Sequence, residues 1–205
     1  MTTKRHRNSE LRRTSKKQSG FTLIEVMISI CILTIGLVGM LSLFGVALAA
    51  THDARQDLIA KQEANEAVEM IFSARNVAEV TWAQIQNVSN GGIFLDNYQP
   101  ILDPGPDGID GTADDVYGNV TNASCPGPSQ CLQLAGPDGV LGTADDTYLP
   151  LNNFQRQILI TPYNNPDGSV NPSLRQVTVN IKYVTSQYRD VNAVYSITSY
   201  ISQYR

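Results

Sequence analysis

The feature that most constrains the fold of this chain is an apolar run near its N-terminus. Residues 26–50 form a stretch of 25 positions without a charged side chain. About 20 consecutive apolar residues are enough for a helix to cross a bilayer. The run therefore predicts a membrane-spanning helix, and it argues against a soluble cytosolic enzyme.

Charge is distributed unevenly around this run. The first 20 of the 205 residues carry seven Lys or Arg side chains and one acid, which is a net charge of +6. The rest of the chain carries 8 basic and 18 acidic side chains, a net charge of -10. A basic flank keeps the N-terminus of an anchor in the cytoplasm. Because the acidic body has no cluster of Lys and Arg for phosphate contacts, we expect no nucleic-acid partner.

Two simple interpretations of this N-terminus are a cleaved secretory signal and a plain membrane anchor. Ala47-Leu48-Ala49 offers an A-x-A cleavage site for the first. However, residues 26–46 make an apolar core of 21 residues, whereas secretory signals use about 7 to 15. The length therefore disfavours a secretory signal and leaves the plain anchor as the competing interpretation.

A plain anchor leaves the junction between the basic segment and the apolar run unexplained. Glu25 lies five residues after Gly20, at the head of the uncharged run. A carboxylate costs about 2.5–3.5 kcal/mol at the centre of a bilayer, so a partner is expected. Cleavage after Gly20 would create one, because the new amine of Phe21 could pair with Glu25 of a neighbouring copy.

The segment Gly20-Phe21-Thr22-Leu23-Ile24-Glu25 resembles the class III signal of type IV pilins and type II secretion pseudopilins. With the continuation Val26-Met27-Ile28-Ser29-Ile30 it is most similar to minor pilins of the type IV pilus modification protein group. The resemblance implies that a prepilin peptidase cuts after Gly20 and methylates the amine of Phe21, and that Glu25 guides assembly with other pilin subunits. It also implies a single-pass inner-membrane protein with an extracytoplasmic head, surrounded by inner-membrane lipid before it joins a pilus at the cell surface.

The pattern after the apolar run predicts that one helix continues from Phe21 to about Asn76. Apolar residues recur at helical spacing and should pack on a sheet, namely Ala60, Ala64, Ala67, Val68, Ile71, Ala74 and Ala78. Four charged residues should face elsewhere, namely Lys61, Glu63, Glu66 and Glu69. Thr81 and Gln84 have the spacing of a capping box, which predicts a short second helix up to Asn87.

The C-terminal part of the chain predicts an antiparallel sheet. Three segments alternate apolar and polar residues around Ile158, Val179 and Ile197, with turn-forming residues before them. The expected fold class is therefore α+β, with a long N-terminal helix packed on a small pilin-like sheet. The expected divisions are a leader (1–20), a membrane half of the helix (21–50), an amphipathic half with the short helix (51–87), a loop region (88–153) and a sheet (154–205).

The loop region contains a direct repeat rich in Gly and Asp. Residues 105–117 return as residues 136–148 with 10 of 13 positions identical. Glycine-turned loops rich in carboxylates suit calcium, and part of the first copy has the spacing of an EF-hand loop. The candidate ligands are Asp103, Asp107, Asp110, Asp114, Asp115, Asp138, Asp145 and Asp146. The alternative is a pair of ordinary turns, because Pro-Asp-Gly is a common turn sequence.

The remaining chemical groups suggest a structural rather than a catalytic protein. Cys125 and Cys131 flank a short extracytoplasmic loop and predict a disulfide, since a zinc site would need two further ligands. The two histidines are His6, in the leader, and His52, at the end of the apolar run. No nucleophile, phosphate-binding or dinucleotide motif occurs, so we expect no enzyme activity and no cofactor other than calcium.

Two other functions agree with parts of this sequence. A type II secretion pseudopilin would share every feature up to Asn76. A membrane-anchored surface binding protein would use the helix as an anchor alone and the acidic repeats as its ligand site. Loss of piliation or of protein secretion after gene deletion would separate a pilin from a pseudopilin. An unprocessed N-terminus in membranes would favour the surface binding protein.

Overall fold

A computed structural model of the chain describes residues 20–116, 125, 129–185 and 192–204. The predicted leader lies outside these described residues except for Gly20, and so does Tyr117, the last residue of the first repeat. The chain divides into two compact units, Met1–Val46 and Ala47–Arg205.

One long helix, α1, extends from Leu23 to Asn76 and confirms the predicted N-terminal helix. In the first unit its large apolar side chains, from Leu23 to Val46, are all exposed. Among the described residues, α1 is the one helix that is long and apolar enough to cross a bilayer. Exposed aliphatic side chains on every face of a helix are unfavourable in water, so this segment requires lipid or other apolar helices around it.

In the second unit, one face of α1 packs on a sheet, as predicted. The buried apolar residues on this face are Ile59, Ala60, Ala64, Ala67, Ile71 and Ala74. Small alanine side chains allow the helix to approach the sheet closely, and Ile71 adds a larger apolar contact. Val68 is partly buried, but Ala78 is exposed because it lies beyond the end of the helix, where its φ is 64°.

The described residues form six strands in two sheets. In chain order the six strands are β1 Gln99–Pro100, β2 Cys131–Leu134, β3 Thr147–Pro150, β4 Phe154–Asn164, β5 Val170–Val184 and β6 Asn192–Ser202. The main sheet contains the three predicted strands (β4, β5 and β6) and a short fourth one (β1). The main sheet has the order β1-β4-β5-β6, and all of its pairs are antiparallel. The strands β2 and β3 form a separate antiparallel pair. The fold is therefore α+β, with a pilin-like arrangement of one long helix and a small antiparallel sheet.

The register of the main sheet brings the apolar residues of all three long strands to one face. Ile158 of β4 lies opposite Val179 of β5, and Val179 lies opposite Ile197 of β6. Ile158 and Val179 are buried, whereas Ile197 is partly buried at the edge of the same core. This alternation is the period-two pattern expected of strands that cover a helix with one face.

The predicted short helix over residues 81–87 is wrong. The backbone amide of Thr81 does donate a hydrogen bond to the Gln84 side chain (2.8 Å), as in a capping box. However, the guanidinium of Arg175, on β5, donates to the carbonyl oxygens of Trp82 and Ile85. In a helix over residues 81–87 the carbonyl of Trp82 would accept from the amide of Gln86. That amide donates instead to the carbonyl of Gln84 (2.7 Å), and the segment forms turns. A short 3₁₀ helix follows instead at Val88–Asn90.

A buried asparagine extends the edge of the main sheet beyond the short strand β1. The Asn87 side chain donates to the carbonyl oxygen of Ile158 (2.7 Å) and accepts from the amide of Ile160 (2.7 Å). It therefore supplies both hydrogen bonds that a neighbouring strand would make there. Because buried backbone groups are costly when unpaired, this side chain compensates for the shortness of β1.

The prediction that Glu63 faces away from the sheet is also wrong. Glu63 is 3% exposed, and it lies on the buried face of α1. It belongs to a charged cluster with Arg156 of β4 and Asp110 of the first repeat, whose carboxylate lies 2.8 Å from the Arg156 guanidinium. Burial raises the pKa of Glu63 to about 7; Glu66 and Asp110 add to the rise, and Arg156 opposes it. Burial also raises the pKa of Asp110, against the lowering effect of Arg156.

Candidate functional site

The residues at the predicted cleavage point lie just before α1. Gly20 and Phe21 are both exposed. Among the described residues, no atom lies within 4 Å of the position that a Cβ on Gly20 would take. Its φ lies outside the left-handed region that favours glycine. Within the described residues, the fold therefore gives no steric reason for a glycine at position 20.

Thr22 caps the first turn of α1, a role that the sequence analysis missed. The backbone amide of Glu25 donates to the hydroxyl of Thr22 (3.3 Å) and to its carbonyl oxygen (3.1 Å). Thr22 and Glu25 have the T-x-x-E spacing of a capping box, so this spacing could have identified the cap. Thr22 would remain after cleavage at Gly20. The start of the helix therefore does not depend on the leader.

Glu25 lies in the first turn of α1, with its side chain exposed. Within the part of the chain that the structure describes, its carboxylate has no hydrogen-bond or ion-pair partner. A negative charge in the first turn interacts favourably with the helix dipole, worth about 0.3–1 kcal/mol. This gain is smaller than the cost of placing a carboxylate in lipid. A partner from another molecule is therefore still required if this turn lies in the membrane.

The two acidic repeats have the same backbone hydrogen bonds. In the first copy, the amide of Gly111 donates to Asp115 (2.7 Å), and in the second, the amide of Gly142 donates to Asp146 (2.6 Å). The threonine that follows each of these glycines donates its hydroxyl to the next aspartate, in both copies at 2.6 Å. The repeat in sequence is thus a repeat of one loop conformation.

Each loop also requires a glycine at its start. A Cβ on Gly105 would collide with the carbonyl oxygen of Asp114, and a Cβ on Gly136 would collide with that of Asp145. The carboxylates hold the loops closed by accepting hydrogen bonds. In Asp114 and Asp145 the threonine hydroxyl is the largest cause that lowers the carboxyl pKa. The aspartates therefore have a structural role even without a metal ion.

The structure divides the eight predicted calcium ligands among the two loops, the Arg156 ion pair and a position outside the loops. Asp110 is buried and paired with Arg156, and the other repeat aspartates accept hydrogen bonds within their own loops, as Asp107 does from Ile109 and Asp138 from Val140. Asp103 lies outside the loop and bridges to Val116 through its backbone. Across residues 20–116, 125, 129–185 and 192–204, no three His, Cys, Asp or Glu side chains are placed to hold one metal ion. Calcium binding therefore stays a prediction.

Thermal melting of the compact unit, residues 47–205, tests the calcium prediction. Binding to the folded state alone stabilises by about 2.7 kcal/mol at a hundredfold excess over Kd. The melting midpoint should therefore be about 5–10 °C higher in calcium than in chelator. The double variant Asp114→Asn, Asp145→Asn should lose most of this difference, whereas Asp167→Asn, in a turn outside the repeats, should keep it. Equal midpoints in calcium and chelator would leave the loops as turns.

The predicted disulfide is present. Cys125 is joined to Cys131, the first residue of β2. The two cysteines are six positions apart in the sequence, with five residues between them. Disulfides persist in oxidising compartments outside the cytoplasm. Cys31, in the apolar half of α1, is a free thiol.

Comparison with known protein families identifies the N-terminal region. Residues 15–51 match the family described as the prokaryotic N-terminal methylation motif. The match includes the cleavage point, the capped first turn and Glu25. Comparisons with curated proteins and with solved structures gave no match. The motif points to a structural subunit rather than an enzyme, and it implies processing by a prepilin peptidase and assembly with other pilins. The capped apolar helix, the small antiparallel sheet and this motif together support a type IV pilin-like family for the chain.

Proposed function

We propose that this chain is a minor subunit of a type IV pilus. A prepilin peptidase removes residues 1–20 and methylates Phe21, and the mature subunit then enters a pilus or its initiation complex through its apolar helix. The observation that carries this proposal is the junction itself. A glycine without a steric role precedes a helix that is capped by Thr22 and has one carboxylate, Glu25, at the head of an uncharged span.

The architecture supports a subunit that is anchored first and assembled later. The first unit exposes a continuous apolar helix surface, which fits either lipid or the apolar helices of other pilins. The second unit has its own core of apolar residues from α1 and the sheet, and it contains the disulfide between Cys125 and Cys131. In this proposal the chain is a single-pass inner-membrane protein with an extracytoplasmic head until assembly brings it to the cell surface.

Deletion of the gene tests the pilus role against its nearest alternative. We expect loss or reduction of surface pili, with unchanged secretion of folded proteins. The opposite result, normal piliation with failed secretion, would assign the chain to a type II secretion system as a pseudopilin. Normal piliation and normal secretion, together with an uncut chain in membranes, would favour the membrane-anchored surface binding protein.

A further inference from the structure

The two acidic loops differ in how they contact the rest of the protein, although they share one conformation. Their sequences differ at three positions, and two of these are adjacent at the loop tip. The tip consists of Ile109 and Asp110 in the first loop and of Val140 and Leu141 in the second. The first tip is buried, with exposures of 2% and 4%, whereas the second is exposed, at 55% and 62%.

The first loop shows how this tip binds a protein surface. Ile109 enters the core of the second unit, and the amide of Asp110 contacts the sulfur of Met70 on α1 (3.0 Å). The Asp110 carboxylate pairs with Arg156 of β4. The loop therefore presents two adjacent side chains to an apolar recess that is bordered by a basic residue.

The second loop has an apolar tip at a position that is exposed to solvent, where a polar residue would be more favourable. An exposed position should prefer a polar residue, yet Leu141 stands where the buried copy has Asp110. Two adjacent aliphatic side chains in water represent an unfavourable exposure that binding would remove. The same loop also exposes two acidic residues, Asp138 and Asp145, within four positions of the tip in the sequence.

We propose that Val140 and Leu141 form a docking tip that inserts into an apolar recess, bordered by Lys or Arg, on a neighbouring subunit of another sequence in the filament. This inference rests on the proposed function, because it requires that the chain be assembled. The acids around the tip favour a basic border on the partner. A second copy of this chain is disfavoured, because its mature body carries a net charge of -10. An anionic membrane surface is disfavoured by the same repulsion.

A photo-cross-linking amino acid at position 141 of the full chain, in cells that assemble filaments, identifies the occupant. We expect a covalent adduct with another pilin-like subunit, at a peptide that contains apolar residues and a nearby Lys or Arg. The same probe at Ala113, an exposed position of the first loop, should give much less of this adduct. An adduct with lipid, with a second copy of this chain, or with neither would overturn the proposal.

The substitution Leu141→Asp places at the second tip the residue that the first tip carries. Because position 141 is exposed, processing at Gly20 and the melting midpoint of residues 47–205 should not change. Recovery of the chain in sheared filaments should fall by about tenfold or more, as expected when one buried aliphatic side chain is lost from an interface. The control Ala144→Asp adds the same charge to the same loop and should keep normal recovery.

These outcomes separate the failure of this inference from failure of the proposed function. Wild-type chain that is absent from filaments would contradict the proposed function itself. Wild-type chain in filaments, with equal recovery of Leu141→Asp, would overturn the docking tip alone. Equal losses for Leu141→Asp and Ala144→Asp would also overturn it, since the added charge would then account for the effect.

Discussion

Replacing Glu25 by Ala should leave the chain in the membrane but remove it from filaments. The substitution takes a charge out of an apolar segment, so membrane insertion should be at least as efficient as in the wild type. Assembly should fail because the amine of a neighbouring Phe21 loses its counter-charge. Breaking a buried ion pair costs about 3–5 kcal/mol, so recovery in sheared filaments should fall by about a hundredfold or more.

Glu25→Gln is the matched control that removes the charge of this residue but keeps its size and polarity. Glutamine can occupy the same position in the first turn. The hydroxyl of Thr22 still accepts a hydrogen bond from the backbone amide of residue 25. The start of the helix is thus preserved while the charge is lost. We expect Glu25→Gln to assemble as poorly as Glu25→Ala. Normal assembly of Glu25→Gln would show that assembly does not need the negative charge at position 25.

Glu63 should make the second unit less stable as the pH rises. Its pKa is about 7 in the folded protein and near 4.5 in the unfolded chain. The folded state therefore holds this proton more tightly, and the stabilisation is fully present below pH 4.5 and is lost as the pH rises through 7. The difference in pKa corresponds to a fall of about 3 kcal/mol in the free energy of unfolding.

The variant Glu63→Gln isolates this effect. Its side chain stays neutral, so the free energy of unfolding of residues 47–205 should change little between pH 5 and pH 8, while the wild type loses most of the 3 kcal/mol. Trp82 is the single tryptophan of the chain, and its ring lies 4.1 Å from the Arg175 guanidinium. Its fluorescence can therefore follow denaturant unfolding. Parallel pH profiles for wild type and variant would contradict the assignment to Glu63.

The main elements of the fold could be predicted from local patterns in the sequence. The length of the uncharged run predicts the first half of the long helix, and the helical spacing of apolar residues from Ala60 to Ala74 predicts its second half. Strands β4, β5 and β6 follow from alternation around Ile158, Val179 and Ile197. The short strand β1 could not be found, because two residues contain no measurable period and Asn87 provides the rest of that edge.

The errors arose where a distant residue overrides a local preference. The side chain of Gln84 makes its capping contact, but Arg175, about ninety residues later, donates to the carbonyl oxygen of Trp82 that a helix would use. Glu63 is buried because Arg156 lies on the strand beneath the helix and offsets part of the cost. Pairings of this kind depend on tertiary structure, and neither helical period nor capping spacing contains that information.

The residue types of the candidate site could be predicted from the sequence, but the burial of its loops could not. Gly20, Phe21 and Glu25 are contiguous, so their roles could be proposed without a structure. The repeat could be recognised, but burial of its first tip and exposure of its second could not. The residue types predict the reverse, since Asp110 is charged and Leu141 is apolar.

The mass of the mature chain tests the central claim most directly. The full chain, purified from the membranes of cells that produce it, should have the mass of residues 21–205 plus one methyl group, with the methyl group on the amine of Phe21. Gly20→Ile should retain residues 1–20 and carry no methyl group, although the fold leaves space for the larger side chain. A wild-type chain that keeps its leader, or that begins at any residue other than Phe21, would contradict the account.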